Sequence, residues 1–454
     1  MTARAAGALA LAAIPVSFGL GAFAARLALD ERPARLRVDF AQPLVVVTAW
    51  GGLGWLLGAI LIATLLCATL ALGAFLIQAG RVKHRLPAAL VYGAAVLSLG
   101  AAFTWPVVFS SDVYAYAAYG DLARAGIAPY APPPATFHDP FVAAADWQWG
   151  GVFPPCVYGA GFVALSMAAV ELVGRNAVAN ALALLRVAAA LAFLGSAYLF
   201  SFLLPAERRL HGAAAFALNP LALWAVAEGH NDAFGICAVL AGAVVALRAA
   251  ALGGLVLGLG PLLKAPGAIA ALALAPLVGA RAGAGAARRY LGGALAGLAV
   301  ALAFALRLQL PAATAIAGHG HYVPEASLQA LVGIGAGLTA ALLVALAGVR
   351  LLSMGQAAGL VWLGIGLWLA IPNPYPWYAL WILPAAAGGL PGRPAAALWA
   401  ATILAALRYF PDAVGNIGSD GRTLLALAQL APLGVLLAAY PRPVSSKKKE
   451  AAPA

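Results

Sequence analysis

The residues with the clearest chemical potential lie in the stretch 110–120, where Asp112 is followed by Tyr114, Tyr116 and Tyr119. In a helix, Tyr116 and Tyr119 would lie about one and two turns beyond Asp112. A carboxylate beside rings on adjacent turns suits a sugar, because the carboxylate can take a hydroxyl proton while the rings cover apolar C–H surfaces. The alternative interpretation is a solvated aspartate within an aromatic belt at a membrane boundary.

A second group of polar residues, Glu228-Gly229-His230-Asn231-Asp232, separates two apolar runs. Three polar side chains in a row are costly in or near lipid unless they line a space that contains water. Helix capping by Asn231 or Asp232 would account for one or two of them. Their combination with Glu228 favours a functional site over capping alone.

Two cationic residues, Arg186 and Lys264, lie within apolar runs. Each is expensive if it faces lipid, so each is expected to pair with an anion in the interior of the protein, and a phosphate suits both. The alternatives are an ion pair with a protein carboxylate such as Glu171, or a side chain that extends to the membrane surface.

Further aromatic residues cluster in two segments. Tyr130, Trp147 and Trp149 belong to a Pro-rich stretch that we interpret as a packed lid, since aromatics at this density rarely stay fully solvated. The segment 373–378 starts a helix with prolines and aromatic residues, and as an isolated signal it indicates an interfacial belt.

The loop that contains His319 and His321, with Glu325 nearby, raises the question of a metal site. A spacing of two without a third placed ligand is a weak signal, and a surface loop is the commoner explanation. We therefore expect no metal site there.

The composition identifies the environment in which these residues must be positioned. Apolar residues make up 64% of the 454 residues and charged residues 9%, so most of the surface must face lipid. The net charge of +12 fits basic residues that hold short cytoplasmic loops better than it fits nucleic-acid binding. The three cysteines indicate no disulfide.

Apolar runs of about 15–30 residues tile the chain, and each is a candidate spanning helix. They lie near 5–29, 46–79, 87–108, 155–172, 180–204, 213–227, 231–248, 252–280, 290–309, 328–349, 356–371, 377–390, 395–410 and 423–440. We interpret 155–172 as a partial or re-entrant helix and 252–280, where Pro261 and Pro266 bracket Lys264, as a broken helix or hairpin. Irregular backbone at membrane depth needs a covering of protein or a water-filled cavity, so both breaks indicate a cavity.

Basic residues at 81–85, 281–289 and 393 and in the tail at Lys447–Lys449 are expected on the cytoplasmic side. Alternation then places 109–152, 310–327 and 411–422 outside. The sequence thus predicts an all-α polytopic membrane protein, a bundle of about 12–14 transmembrane helices. We expect one transmembrane domain over 1–454, with an external catalytic loop at 109–152 that carries short helices and a basic cytoplasmic tail at 441–454.

Together these pieces resemble the integral-membrane glycosyltransferases of the GT-C fold, and most closely the polyprenol-phosphate-mannose-dependent α-1,6-mannosyltransferases. The resemblance covers residues 100–235 well, with 376–381 as a distant anchor, and its short motifs come in the family's order. The motifs are Ser111-Asp112-Val113-Tyr114-Ala115-Tyr116, Gly126 through Tyr130, Tyr158-Gly159, Leu185-Arg186, Asn219-Pro220-Leu221, Gly229-His230-Asn231-Asp232 and Pro376-Trp377-Tyr378-Ala379-Leu380-Trp381. The family's Tyr-Gly-Pro stands here as Tyr158-Gly159-Ala160, and the loop with His319 and His321 departs from the pattern.

The resemblance implies a polyprenyl-phosphate-sugar donor taken from the outer leaflet and catalysis at the outer face of the cytoplasmic membrane. It also implies that Asp112, in the first large external loop, is the general base. The residues expected to bind substrate, from the motifs and from the aromatic and cationic positions above, are Tyr114, Tyr116, Tyr130, Trp149, Tyr158, Arg186, His230, Asn231, Asp232, Lys264, Trp377 and Tyr378.

We interpret the sequence as an inverting glycosyltransferase that moves a hexose, mannose favoured, to a glycan or lipid-linked acceptor. Phosphate is already a good leaving group, so the charge of Lys264 or Arg186 could replace an acid or a metal, and no cofactor is expected. The rival is a transporter or flippase of lipid-linked sugars, which would use the same cavity and cations without a base. A transporter is expected to show pseudo-symmetric halves, and the sequence contains no internal repeat.

The assigned sides of the membrane predict a labelling pattern. In single-cysteine variants that lack Cys67, Cys156 and Cys237, a membrane-impermeant thiol reagent should label 109–152, 310–327 and 411–422 from outside. Positions beside Lys447–Lys449 should react only after the membrane is permeabilised, because basic segments stay in the cytoplasm. Labelling of the tail and of 109–152 from the same side would contradict the scheme.

Overall fold

The computed structural model describes residues 2–30, 52–81, 87–106, 109–110, 112–134, 136–148, 153–174, 177–310, 327–356, 358–389, 398, 402–409 and 418–439. Every regular element within these ranges is helical, with 3₁₀ helices at Gly260–Leu262, Pro376–Trp381 and Leu404–Arg408. The α-helices are α1 (Ala3–Asp30), α2 (Gly52–Arg81), α3 (Ala88–Phe103), α4 (Asp112–Arg124), α5 (Pro140–Gln148), α6 (Ala160–Val173), α7 (Val178–Leu203), α8 (Arg209–Ala217), α9 (Pro220–Ala227), α10 (Asp232–Ala246), α11 (Ala250–Gly258), α12 (Gly267–Ala273), α13 (Ala275–Ala282), α14 (Ala284–Leu308), α15 (Leu328–Val332), α16 (Ile334–Ser353), α17 (Gly359–Ala370), α18 (Leu383–Gly389) and α19 (Gly418–Ala439).

The chain is an all-α polytopic membrane protein. Six described helices, α1, α2, α7, α14, α16 and α19, are long and apolar enough to cross a bilayer alone. A seventh span is possible if α8 and α9, which meet at 49°, count as one crossing. Six further apolar helices have 10–17 residues, so many of the predicted apolar runs are helical where the structure describes them, but these six are too short to cross a bilayer of about 30 Å unaided.

The two interruptions that the sequence predicts are present. α6 has 14 residues and is therefore about 21 Å long, a partial span. The run 252–280 is divided into α11, a 3₁₀ turn, α12 and α13, and Lys264 lies in the gap before α12. Both interruptions meet in space, because a Cβ at Gly159, just before α6, would lie only 2.3 Å from the carbonyl oxygens of Pro261 and Leu262.

The bend between α8 and α9 has a local cause. Asn219 caps α9 by accepting a hydrogen bond from the Ala222 amide at 3.1 Å, and Pro220 occupies the first helical position. Around this bend lies the main apolar core, where the indole of Trp105 donates to the Phe18 carbonyl at 3.0 Å and meets the Trp224 ring edge-on at 4.8 Å. This packing joins α1, α9 and the residues just after α3.

A second, smaller core lies between α11 and α14, where the two helices approach through glycines. A Cβ on Gly293 would lie 1.9 Å from the Ala251 carbonyl oxygen, and one on Gly254 would lie 2.0 Å from the Tyr290 carbonyl oxygen. Small residues allow this close approach of helix backbones in a membrane protein. The contact fixes α11 and therefore the position of the Lys264 break that follows it.

Substitution at this contact gives a matched test. Gly293→Ala should lower the free energy of unfolding by about 1–3 kcal/mol, because the added methyl group overpacks the contact with α11. Gly292→Ala on the same helix is the control: nothing lies within 4 Å of a Cβ there, and alanine favours the helix by up to about 1 kcal/mol. Thermal unfolding in detergent measures both variants, and equal stability of the two would contradict the packing.

Candidate active site

The central carboxylate, Asp112, is the first residue of α4. Its backbone amide donates to Ser110 Oγ at 3.3 Å, and the position in the first helical turn favours a negative charge. Tyr116, one turn later, donates its hydroxyl hydrogen to Asp112 Oδ2 at 3.2 Å. The helix therefore holds the carboxylate beside an aromatic hydroxyl, as the spacing of the two residues predicts.

Asp112 faces an open cavity with a volume of about 130 Å³. Two groups of side chains supply its polar and aromatic lining. They are Asp112, Tyr116, Tyr119 and Tyr158 on the side of α4 and α6, and Asn373, Tyr375, Trp377 and Tyr378 from the segment after α17. The cavity thus joins a carboxylate to many ring surfaces, and residues more than 200 positions apart in the chain form it.

The rings of each wall are fixed by their neighbours. Tyr158 donates its hydroxyl hydrogen to the Tyr116 oxygen at 3.4 Å, and the two rings meet edge-on at 5.2 Å. On the other wall, Trp377 stacks on Tyr375 at 4.5 Å and on His230 at 3.8 Å, with interplanar angles of 4° and 18°. These contacts hold the rings of both walls in fixed orientations around the cavity.

His230 connects Asp112 to the protein interior. Its Nδ1 lies 3.5 Å from Asp112 Oδ2, its Nε2 lies 3.5 Å from Glu228 Oε2, and its side chain is fully buried. Glu228 Oε2 also accepts the hydroxyl hydrogen of Tyr409 at 2.6 Å. Burial alone lowers the pKa of His230, but the carboxylates of Asp112 and Glu228 outweigh it and raise the pKa above its ordinary value.

Lys264 lies in a buried polar cluster next to the cavity wall. Its Nζ donates to Asp232 Oδ2 at 2.5 Å and to Asn231 Oδ1 at 2.9 Å, and the Trp381 indole donates to Asp232 Oδ1 at 2.6 Å. The same ammonium lies 5.1 Å from the ring centre of Tyr378 and 5.6 Å from that of Tyr158, both of which line the cavity. This places a positive charge behind two cavity rings.

Comparison with known families decides the class of protein. Residues 4–283 match the model of the MptA_B family, described as alpha-(1->6)-mannopyranosyltransferase, N-terminal domain. The chain belongs to this family. No curated protein and no solved structure matches it.

The cavity and its surroundings contain many of the residues that the sequence predicts for the site. Asp112, Tyr116, Tyr158, Trp377 and Tyr378 line the cavity. His230 contacts Asp112 directly, while Asn231 and Asp232 hold Lys264. Their assignment as binding residues stays a prediction.

Several predicted residues lie elsewhere. Arg186 donates from Nε to the Ala227 carbonyl at 2.5 Å and from Nη2 to the Phe103 carbonyl at 3.3 Å. These partners are backbone carbonyls, whereas Lys264 binds the side chains of Asp232 and Asn231. Tyr114 and Tyr130 are buried and are not among the side chains that line the cavity. Trp149, His319 and His321 lie outside the residues that the structure describes.

Other contributors were not assigned from the sequence. Tyr375 and Asn373 belong to the segment that by itself indicates an interfacial belt, yet both line the cavity. Glu228 belongs to the segment 228–232 that the sequence indicates as functional, but no role was assigned to it. Tyr409 carried no signal, because its contact with Glu228 joins residues 181 positions apart.

No group of three or more metal-ligating side chains occurs among the residues that the structure describes. Independence from a metal or cofactor stays a prediction.

The side chain of Asn231, a residue that could have capped α10, makes no capping hydrogen bond and binds Lys264 instead.

The Lys264–Asp232 pair predicts a non-additive effect on stability. Lys264→Met should lower the free energy of unfolding by about 3–5 kcal/mol, because it leaves a buried carboxylate without its cation. Adding Asp232→Asn removes that charge while an amide oxygen can still accept from Trp381, so the double variant should recover part of the loss. Arg248→Met, at an exposed position, is the control and should change stability by less than about 0.5 kcal/mol. Additive losses in thermal unfolding would contradict a direct ion pair.

Proposed function

We propose that this mannosyltransferase takes mannose from a polyprenyl-phosphate-mannose donor and transfers it, with inversion, to a hydroxyl of a glycan or lipid-linked acceptor. The observation that carries the proposal is the carboxylate of Asp112 at an open cavity walled by aromatic rings, in a chain whose family name specifies an α-(1→6) mannosyl linkage. The reaction is placed at the outer face of the cytoplasmic membrane, in accordance with the distribution of basic loops.

In the proposed reaction, Asp112 accepts the proton of the acceptor hydroxyl as its oxygen attacks the anomeric carbon of mannose. The bond between that carbon and the phosphate oxygen breaks, and polyprenyl phosphate leaves with the electron pair. A single displacement inverts the anomeric centre, so an α-linked product requires a β-linked donor. The protonated Asp112 then releases its proton to water through the open cavity.

The leaving phosphate needs positive charge near it, and Lys264 is the residue proposed to supply this charge. Its ammonium lies behind the rings of Tyr158 and Tyr378, and its charge reaches the cavity through a low-dielectric wall. Asp232 and Asn231 hold the ammonium in place, so the charge is preorganised before the donor binds. Arg186 is a less direct candidate, because its Nε and Nη2 donate to backbone carbonyls.

A transporter of lipid-linked sugars would need the cavity and the cations but not the base. The contacts around Asp112 favour the enzyme, since Tyr116 and His230 both engage its Oδ2 and hold the carboxylate in one orientation. Family membership supports the same conclusion, because the family is named for sugar transfer.

Asp112→Asn tests the proposed base directly. The amide keeps the shape of the side chain but accepts no proton, so kcat should fall about 10²–10⁴-fold with little change in donor binding. The measurement is transfer from polyprenyl-phosphate-mannose to a synthetic α-(1→6)-dimannoside by purified protein in liposomes. Asp420→Asn, at an exposed position at the start of α19, is the matched control and should keep full turnover.

Two results would contradict this assignment. Full turnover of Asp112→Asn together with loss of turnover in Asp232→Asn would move the base to the 228–232 segment. If neither variant matters and the sugar lipid still crosses the liposome membrane, the protein is a transporter.

A further inference from the structure

A row of ionisable side chains extends from the cavity into the core. It runs from Tyr116 to Asp112, His230, Glu228 and Tyr409, and each member contacts the next. Asp112 is the most exposed member, with 14% of its side chain exposed, whereas the side chains of His230 and Glu228 are 0% and 4% exposed. Two carboxylates on either side of a buried histidine constrain the protonation state of its ring.

This constraint follows from the number of hydrogen bonds that each group can donate or accept. An ionised carboxylate only accepts hydrogen bonds, and a neutral imidazole carries one N–H donor, so a neutral His230 could serve only one of its two partners. A doubly protonated ring has a donor for each partner, Nδ1 on the side of Asp112 and Nε2 on the side of Glu228. At separations of 3.5 Å, neither ring nitrogen meets the geometry of a hydrogen bond, so the two contacts are charge contacts.

The local backbone and a stacked ring fix the orientation of His230. Gly229 has φ of +91°, a conformation that favours glycine, and a Cβ there would lie 3.0 Å from Val113 and from Arg186. This turn brings the 228–232 segment against α4 at the residue that follows Asp112. Trp377 then stacks on the imidazole at 3.8 Å, which keeps the plane of the ring aligned with both carboxylates.

We propose that His230 is a positioning residue that acts as an imidazolium bridge, holding Asp112 in place for proton transfer and balancing the charges of Asp112 and Glu228. The inference rests on the proposed role of Asp112 as the base. The groups that face this bridge are Asp112 and Tyr116 from α4, Glu228 in the same turn, Arg186 from α7 and Tyr409 beyond Glu228. Of these, the carboxylates favour the charged ring, and Arg186 is a cation that interacts with Glu228.

The bridge makes the reaction sensitive to alkaline pH. The pKa of His230 is raised, so the imidazolium is fully present below the ordinary histidine pKa of about 6.5 and is lost as pH rises through the raised value. Loss of the proton removes one donor and leaves two carboxylates beside a neutral ring. Turnover should therefore decline on the alkaline side, as should the stability that this charge contributes.

Kinetics of three variants in liposomes test the bridge, with polyprenyl-phosphate-mannose and the α-(1→6)-dimannoside as substrates. His230→Gln should lower kcat about 10²-fold, because a displaced base costs roughly that much, while KM for the donor stays the same and the alkaline decline disappears. Glu228→Gln should move the alkaline decline to lower pH, since one of the carboxylates that raises the pKa is gone. His211→Gln is the matched control: that ring lies 3.1 Å from the Leu76 carbonyl and is not part of the row, so its replacement should leave rate and pH profile unchanged.

A direct measurement uses ¹⁵N-histidine-labelled protein in lipid and solid-state NMR. The signal absent from His230→Gln identifies His230, and both of its ring nitrogens should keep their hydrogens to a higher pH than those of an ordinary histidine. Asp112→Asn should shift the titration of this ring to lower pH. If His230→Gln does not fold, the signal that moves in both Asp112→Asn and Glu228→Gln identifies the ring.

The outcomes separate this inference from the proposed function. An inactive Asp112→Asn together with a His230→Gln variant of wild-type kcat and pH profile overturns the bridge and leaves the base intact. A ring that loses one of these hydrogens at or below the ordinary histidine pKa of about 6.5 also overturns it. A fully active Asp112→Asn overturns the proposed base itself, whatever the protonation state of His230.

Discussion

A charge buried in a membrane protein must have a partner, and this constraint determines much of the structure around the cavity. Asp112 and Glu228 share His230, while Asp232 pairs with Lys264. Each contact joins two different parts of the chain: the first joins α4 to the turn before α10, and the second joins α10 to the break before α12. The groups proposed for chemistry are therefore also the polar connections that hold these elements together.

The same residues lie where helices begin or break. Asp112 and Asp232 each occupy the first turn of a helix, where a negative charge is favoured, and Lys264 lies in the gap between a 3₁₀ turn and α12. Irregular backbone exposes unpaired amides and carbonyls, which lipid cannot satisfy. These segments must therefore face each other or a wet cavity, and their clustering around one cavity follows from that need.

The sequence predicted the class and the key segments because composition and apolar run length are local properties. It also identified 110–120, 228–232, Lys264 and 376–378, which the structure brings around one cavity. It did not decide between partners: Lys264 was open to a phosphate or to a carboxylate such as Glu171, and in the structure it binds Asp232. Pairings of this kind depend on how distant helices pack, as with Glu228 and Tyr409, and residue spacing carries no information about them.

Two separate parts of the chain form the site, and both are needed. Asp112, Glu228, His230, Asp232 and Lys264 all lie within residues 4–283, which match the family model, whereas the ring wall of Tyr375, Trp377 and Tyr378 comes from beyond it. The two parts are not independent, because Trp377 stacks on His230 and Trp381 donates to Asp232. The later segment thus lines the cavity and also restrains a histidine and a carboxylate of the earlier one. The arrangement of charge next to the cavity is complete only when both parts of the chain are packed together.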